Sequence, residues 1–297
     1  MALRAGGKLD FVNDQRVQAR TNNAEELRLA ALEAARQSAE LLRASFRGTV
    51  HAEHKTNTHD LVTDIDRRSQ RIITDALLSA CPGSWVLGEE RISGEHGQQA
   101  PGKVQWIVDP IDGTSNFVHG VAFFCISIAA AIDGQLVAAA ILDPISGDEF
   151  SANSDTAFLN GQVLEPGARP EQSRANLMTD YPGAESMLKD GDLSLKLLGQ
   201  WIQDFATVRR KVCAALSLAH VAAGWCDAVI GFDTKVWDVA AGAHLVRMAK
   251  GTFRGLSYGQ PGLADHHCPG FIAQGPGADY PSLASAAEQI HQLRTGR

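Results

Sequence analysis

Apolar residues recur at helical spacing early in the chain. Leu27, Ala31, Ala34, Ala35, Ser38, Leu41 and Leu42 share one face of a helix predicted from Asn23 to about Arg47. Residues 1–22 carry no such stripe and read as a flexible polar arm. A second helix follows HDLVTDID, with Ile65, Ser69, Ile72, Ile73, Ala76 and Leu77 on one side and a stop at Cys81, Pro82 and Gly83. Short apolar runs come next. WVLGEE reads as a strand, 91–103 as a polar loop, and VQWIVD as a buried strand. VAFFCISIAAAI and QLVAAAIL are two strands joined through Asp133 and Gly134, a hairpin signal. Turn-rich residues over 151–161 and the polar stretch 165–174 divide the chain into an N-terminal α+β part, 23–155, and a C-terminal α/β part, 156–297. The second part predicts helices over 184–198 and 212–224, a strand over 226–231 and a helix from 238, which makes the whole a mixed α/β protein.

Composition narrows the possible partners. The 297 residues are 44% hydrophobic and 21% charged, and no stretch reaches the roughly 18 apolar residues of a membrane helix. The start, MALRAGGKLDFVNDQ, lacks the apolar core of a secretory signal, so the expected location is cytoplasmic, with no membrane partner. A net charge of −7 argues against general affinity for nucleic acid, although Arg209, Arg210 and Lys211 form a local basic patch. Cys81, Cys125, Cys213, Cys226 and Cys268 are odd in number and irregularly spaced, which indicates neither a disulfide framework nor a zinc site. His266 and His267 read as part of a surface loop.

The candidate chemistry lies in carboxylates at the ends of elements. Asp109 closes the strand VQWIV, and Asp112 follows in the same turn. Pro110 fixes φ and has no N–H to donate, while Gly113 permits backbone shapes that other residues would strain. Two carboxylates held in a partly dry site repel unless one is protonated or a cation lies between them, and oxygen ligands favour Mg²⁺, Mn²⁺ or Ca²⁺ over zinc. The same residues taken alone also fit an Asx turn with solvated aspartates. WVLGEE brings Glu89 and Glu90 to another strand end. Thr63 and Asp66 have the spacing of a helix capping box, and Asp238 opens a helix, where the dipole alone favours an acid. Brought together, Asp66, Glu89, Asp109, Asp112 and Asp238 would make a multi-metal site.

DPIDGTSNF, with GEE upstream, DLVTDID before it and WDVAAG near the C-terminus, resembles the inositol monophosphatase family of Mg²⁺-dependent, Li⁺-sensitive phosphatases. Order and approximate spacing match from about Leu27 to about Phe271, and AFLNGQ resembles a further family turn. The resemblance implies a five-layer α-β-α-β-α sandwich of the inositol monophosphatase and fructose-1,6-bisphosphatase type, and a homodimer. It implies that Glu89, Asp109, Asp112, Asp238 and the carbonyl of Ile111 hold two Mg²⁺ ions, with Asp66 reaching a third and Mn²⁺ as a substitute. Thr114, Glu89 and Asp66 would then be catalytic, positioning and deprotonating a water whose pKa the paired ions lower. Asp112, Gly113, Thr114, Ala214 and Asp238 would meet the phosphorylated metabolite, and Lys55 would support the metal loop.

The sequence departs from the family on the substrate side. Gly231 stands where members acting on inositol phosphates carry a glutamate, with Asp233 and Lys235 as unaligned substitutes. Val212 and Cys213 replace the usual Gly-Ser or Gly-Thr ahead of Ala214 and Ala215, and RMAKGTF replaces an acidic, glycine-rich stretch. These changes fit an apolar pocket wall or a basic contact for a second anionic group. Inositol 1-phosphate, histidinol phosphate, a sugar phosphate and 3′-phosphoadenosine 5′-phosphate are the expected alternatives. A regulatory protein working with the transcription machinery is the alternative of another class.

Overall fold

The computed structural model describes residues 7–48, 52–54, 61–90, 100–167, 169 and 171–296. Lys55 and most of the predicted polar loop, 91–99, lie outside them. Helix α1 (Gly7–Ser45) leads to a two-stranded ribbon, β1 (Ala52–His54) and β2 (Leu61–Thr63), and to helix α2 (Asp64–Ala80). Strands β3 (Trp85–Gly88) and β4 (Val104–Asp112) are followed by the short helix α3 (Thr114–Val118). Strands β5 (Cys125–Ile132), β6 (Gln135–Leu142), β7 (Glu149–Ala152), β8 (Ala157–Leu159) and β9 (Gln162–Val163) complete the first half. The second half runs β10 (Asn176–Thr179), α4 (Ala184–Asp190), α5 (Asp192–Asp204), β11 (Thr207–Arg209), α6 (Ala214–Ala222) and β12 (Ala228–Phe232). It ends with α7 (Val236–Met248), β13 (Thr252–Leu256), β14 (Gly270–Gln274) and α8 (Pro281–Thr295).

Three hydrophobic clusters show how these elements stack. The outer face of the first sheet, ordered β3-β4-β5-β6-β7-β8-β9, buries Trp106, Val108, Ile126 and Ile128 against Leu27, Ala31, Leu42 of α1 and Ile73, Leu77 of α2. Its inner face buries Ile107, Ala129 and Ile141 against α6 and α7. These helices in turn cover Val229, Phe253 and Phe271 of the second sheet, ordered β11-β10-β12-β14-β13. The far side of that sheet packs Leu177, Ile230 and Ile272 on Leu197 and Trp201 of α5 and on Leu283 and Ile290 of α8. Helix, sheet, helix, sheet and helix make the five layers that the family resemblance implied. The middle layer is thin because its residues are small: a Cβ on Gly242 of α7 would lie 2.5 Å from Leu218 of α6.

Several expectations need revision. The first helix begins at Gly7, so residues 7–22 continue it where an arm was expected; the stretch lacks proline and is rich in residues that tolerate helix without a stripe. The buried face of α2 is rotated, with Asp66, Gln70 and Thr74 inside beside Ile73 and Leu77, because Asp66 and Gln70 make the bonds described below. β8 and β9 extend the first sheet, so residues 156–163, assigned by sequence to the second part, belong to the first. Gly191, at φ 56° and ψ −139°, splits the helix expected over 184–198 into α4 and α5. His266 is buried in a turn against α7 instead of lying on a surface loop. The predicted hairpin forms, with Asp133 (φ 49°) and Gly134 (φ 77°) both left-handed, as a two-residue turn of that twist requires.

No helix among the described residues is long and apolar enough to cross a membrane.

His244 of α7 supplies a test of the middle layer. It is 4% exposed, and its Nε2 donates to the Asn153 carbonyl at 2.8 Å. Burial lowers its pKa from 6.5 to about 4. A folded-state pKa below the unfolded value stabilises the fold above pH 6.5 and loses that stability as pH falls through 4. This histidine should therefore remove about 3 kcal/mol between neutral pH and pH 4. Urea unfolding of the unaltered protein and His244→Gln across that window should show a shallower acid loss in the variant; equal slopes would refute the assignment.

Candidate active site

The carboxylate cluster starts from a fault in β4. Asp109 pairs with Ser127 and Asp112 with Cys125, so three steps along β4 match two along β5. In a regular strand residues three apart face opposite sides; the inserted residue brings Asp112 back to the face of Asp109. Pro110 sits inside this bulge, where its missing N–H leaves no ladder bond unmade. The Asp109 Oδ1 accepts the Ile111 N–H at 3.0 Å, the Asx turn that the sequence also allowed, so this turn and a carboxylate cluster coexist. Ser69 of α2 donates to the Pro110 carbonyl at 3.1 Å and pins the bulge from behind.

Gly113 then reverses the chain at φ 95°. A Cβ there would stand 3.1 Å from the Phe123 carbonyl oxygen and 3.3 Å from Cys213 Cβ, so both conformation and space demand glycine. Thr114, the first residue of α3, offers its hydroxyl to Asp66 Oδ1 and to the Ile111 carbonyl, each at 3.0 Å. Asp66 completes the predicted capping box of α2, its Oδ2 accepting from the Thr63 N–H at 2.8 Å. The predicted cap forms, and the same carboxylate that caps α2 is bonded to Thr114 beside the DPIDGT turn.

The remaining members come from other elements. Gln70 clamps the end of β3: its Nε2 donates to the Glu90 carbonyl at 2.5 Å, and its Oε1 accepts the Glu90 N–H at 2.8 Å. That clamp fixes the backbone beside Glu89, and Gly88 leaves room for it, since a Cβ there would fall 2.4 Å from the Gln70 amide. From the second half, the N-terminus of α6 reaches Asp112, whose Oδ2 accepts the Ala215 N–H at 2.5 Å and the Cys213 thiol at 3.2 Å. Asp238 in the first turn of α7 accepts the Lys235 N–H at 2.7 Å.

Electrostatics mark the cluster as incomplete in itself. Burial, then the charges of Glu89, Asp112 and Asp238, raises Asp109 well above the usual carboxylate range, and Asp109 shares a hydrogen bond with Glu89. Burial and then Asp238 raise Asp112 against the opposing Ala215 N–H. Burial pushes Asp238 to about 7, partly offset by the Lys235 N–H. Burial also raises Asp66, opposed by its bonds from Thr63. Among the described residues no Lys or Arg forms an ion pair with Asp109, Asp112 or Asp238. A set of hard, recessed oxygen donors fits Mg²⁺ or Mn²⁺. Asp112 also lies within 4.8 Å of the Cys125 and Cys213 sulfurs, and burial raises both thiols, Cys125 to about 11.

Glu89, Asp112, Gly113, Thr114, Ala214 and Asp238 open onto one cavity of about 210 Å³, while Asp66, Asp109 and Ile111 do not line it but bond to Thr114 or Glu89, which do. Gly231 is not at the cavity: a Cβ there would meet the Phe271 ring at 2.4 Å. Asp233 is bound to Lys189 and Arg294, and Lys235 is exposed, so neither takes the place of the expected glutamate. Sequence reasoning missed Gln70 and Asp180, which lines the cavity after β10. It also gave no role to Asn116, whose Nδ2 lies 2.7 Å from the Phe123 carbonyl and 2.6 Å from that of Lys211. Only the SNF triplet hinted at it.

The chain matches the model of the inositol monophosphatase family over residues 23–292. It is 38% identical over 223 residues to the Nus factor SuhB of Pseudomonas aeruginosa, covering 74% of this chain and 82% of that protein. It is 39% identical over 195 residues to the inositol-1-monophosphatase of Rhizobium meliloti, covering 65% and 71%. The crystal structure of the extragenic suppressor protein suhB from Bartonella henselae superposes with a TM-score of 0.76 at 29% identity, covering 90% of this chain and 98% of that one.

Val212 adopts a left-handed backbone at φ 54°, a costly setting for a β-branched residue. Its side chain is 46% exposed, so little packing repays the strain. Val212→Gly should stabilise the protein by about 1 kcal/mol and raise Tm by about 2–4 °C. Calorimetry decides; a lower Tm would show that the valine side chain contributes more than its backbone costs.

Proposed function

Because the chain belongs to the inositol monophosphatase family, we propose that it hydrolyses a small phosphate monoester with Mg²⁺ bound, releasing inorganic phosphate. The observation that carries this reading is the β4 bulge, which turns Asp109 and Asp112 onto one buried face beside Glu89 and Asp238. Glu89, Asp109, Asp112, Asp238 and the Ile111 carbonyl would hold the ions, with Asp66 at the margin. Bound divalent ions supply positive charge to the phosphate oxygens and acidify a water.

The chain's own groups handle orientation and the proton. Thr114 Oγ1 donates its one proton towards Asp66 Oδ1 and the Ile111 carbonyl, so its lone pairs stay turned away from both and can accept a hydrogen bond that orients a water. Glu89 lies at the mouth of the same cavity as the second acceptor. In the balanced reaction the water oxygen forms a new P–O bond, the ester P–O bond breaks, and a proton ends on the departing alcohol. Inositol 1-phosphate, histidinol phosphate, sugar phosphates and 3′-phosphoadenosine 5′-phosphate remain substrates to compare. A homodimer in the cytoplasm is part of the same proposal.

A second reading is favoured by the names of several relatives: Nus factor SuhB in Pseudomonas aeruginosa supports a regulatory role with the transcription machinery, with or without hydrolysis. The net negative charge therefore does not exclude a nucleic-acid-containing partner.

Two measurements test the phosphatase reading. Phosphate release from the compounds above should require Mg²⁺, fall with Li⁺, and drop about a hundredfold or more in Asp112→Asn. Mg²⁺ should also raise the Tm of the unaltered protein more than that of the variant, by ligand linkage. No release from any ester, together with an identical Mg²⁺ response in both proteins, would sink it.

A further inference from the structure

The cavity extends beyond the metal carboxylates. Glu89, Asp112 and Asp238 form the end where the reading above, on which this inference rests, places the phosphate. The alcohol that leaves must lie against the rest of the lining, which includes Asp180, Val212, Ala214 and Thr234. Asp180 is the carboxylate of that part. Its Oδ1 accepts the Val212 N–H at 2.6 Å, and Arg210 donates to its backbone carbonyl at 3.3 Å, so the side chain is held against the cavity rim. Its charge acts on both Asp112 and Asp238, which places it within electrostatic reach of the reacting end. Next to it, the half-exposed Val212 side chain offers an apolar surface. The hydroxyl of Thr234 is buried and has no hydrogen-bond partner among the described residues.

This wall has a chemical preference. A carboxylate with one oxygen engaged by Val212 still has lone pairs for donors and accepts from hydroxyl or ammonium groups more strongly than a neutral acceptor would. The same charge opposes a second phosphate there. An apolar patch beside a carboxylate suits a molecule with C–H faces and O–H or N–H edges. We propose that Asp180 selects the leaving group, taking monophosphates of neutral polyols or amino alcohols and rejecting those whose alcohol carries a second phosphate. Burial raises the pKa of Asp180, while the Val212 N–H and the Arg210 charge oppose that rise and favour its ionised form; Arg210 is also bonded to the Asp180 backbone, and the Lys211 ammonium lies 5.0 Å over the Phe123 ring.

The test compares the unaltered protein with Asp180→Asn, which keeps an oxygen for the Val212 N–H, on inositol 1-phosphate, p-nitrophenyl phosphate and fructose 1,6-bisphosphate with Mg²⁺. The variant should lose kcat/KM on the inositol ester about tenfold more than on p-nitrophenyl phosphate, mainly through KM. Its ratio of bisphosphate to inositol-ester turnover should rise. Equal losses on the inositol and p-nitrophenyl esters would overturn the proposal, leaving Asp180 as a brace for Val212. A preference of the unaltered protein for the bisphosphate would also overturn it, and that arm decides the matter if the variant does not fold. No turnover of any ester by the unaltered protein would instead overturn the phosphatase reading, and this inference with it.

Discussion

The residue that the bulge inserts into β4 rotates Asp112 onto the face already held by Asp109, and the repulsion this creates is the constraint the rest of the centre answers. In a low-dielectric setting two carboxylates with Glu89 and Asp238 beside them cannot all stay ionised without compensation. The protein supplies part of that compensation through dipoles: the Ile111 N–H for Asp109, the first amides of α6 for Asp112, and the Lys235 N–H for Asp238. Main-chain groups of this kind reduce the repulsion and hold the oxygens in place, and they leave a net negative charge for a divalent ion to meet.

The supporting bonds reach through the layers. Ser38 of α1 lies 2.6 Å from Ser69 of α2, and Ser69 holds the bulge through the Pro110 carbonyl. Gln70, one position further along α2, fixes the end of β3 beside Glu89. One outer helix thus sets the position of two strand ends, because consecutive residues of α2 point at neighbouring strands. On the other side, α6 and α7 carry small residues that let them lie close between the sheets, and their N-termini bring Asp112's partners and Asp238 to the same place.

Features governed by local chemistry were legible in the sequence. The Asp133–Gly134 hairpin, the stripe of α1, the capping box of Thr63 and Asp66, and the DPIDGT turn each announce themselves within a few residues, and each formed. Features that depend on distant partners were not. The polar face of α2 was misjudged because Gln70 is buried for the sake of Glu90, twenty residues away in sequence. Asp180 has no local pattern; its meaning comes from Val212 beside it, 32 positions later in the chain. The break at Gly191 rests on one dihedral pair that neighbouring helix formers masked. The glutamate expected at Gly231 was sought in nearby substitutes, whereas Phe271 of a neighbouring strand fills the space.

The 2.5 Å bond between Asp112 and the Ala215 amide joins a residue of the first sheet to a helix of the second half, 103 positions later in the chain. Neither half owns the centre. A nascent chain that ended at the first sheet would carry the acidic turn without the α6 amide that bonds Asp112. The same bond works as a gauge: a shear of one sheet past the other would strain it and displace a carboxylate that lines the cavity.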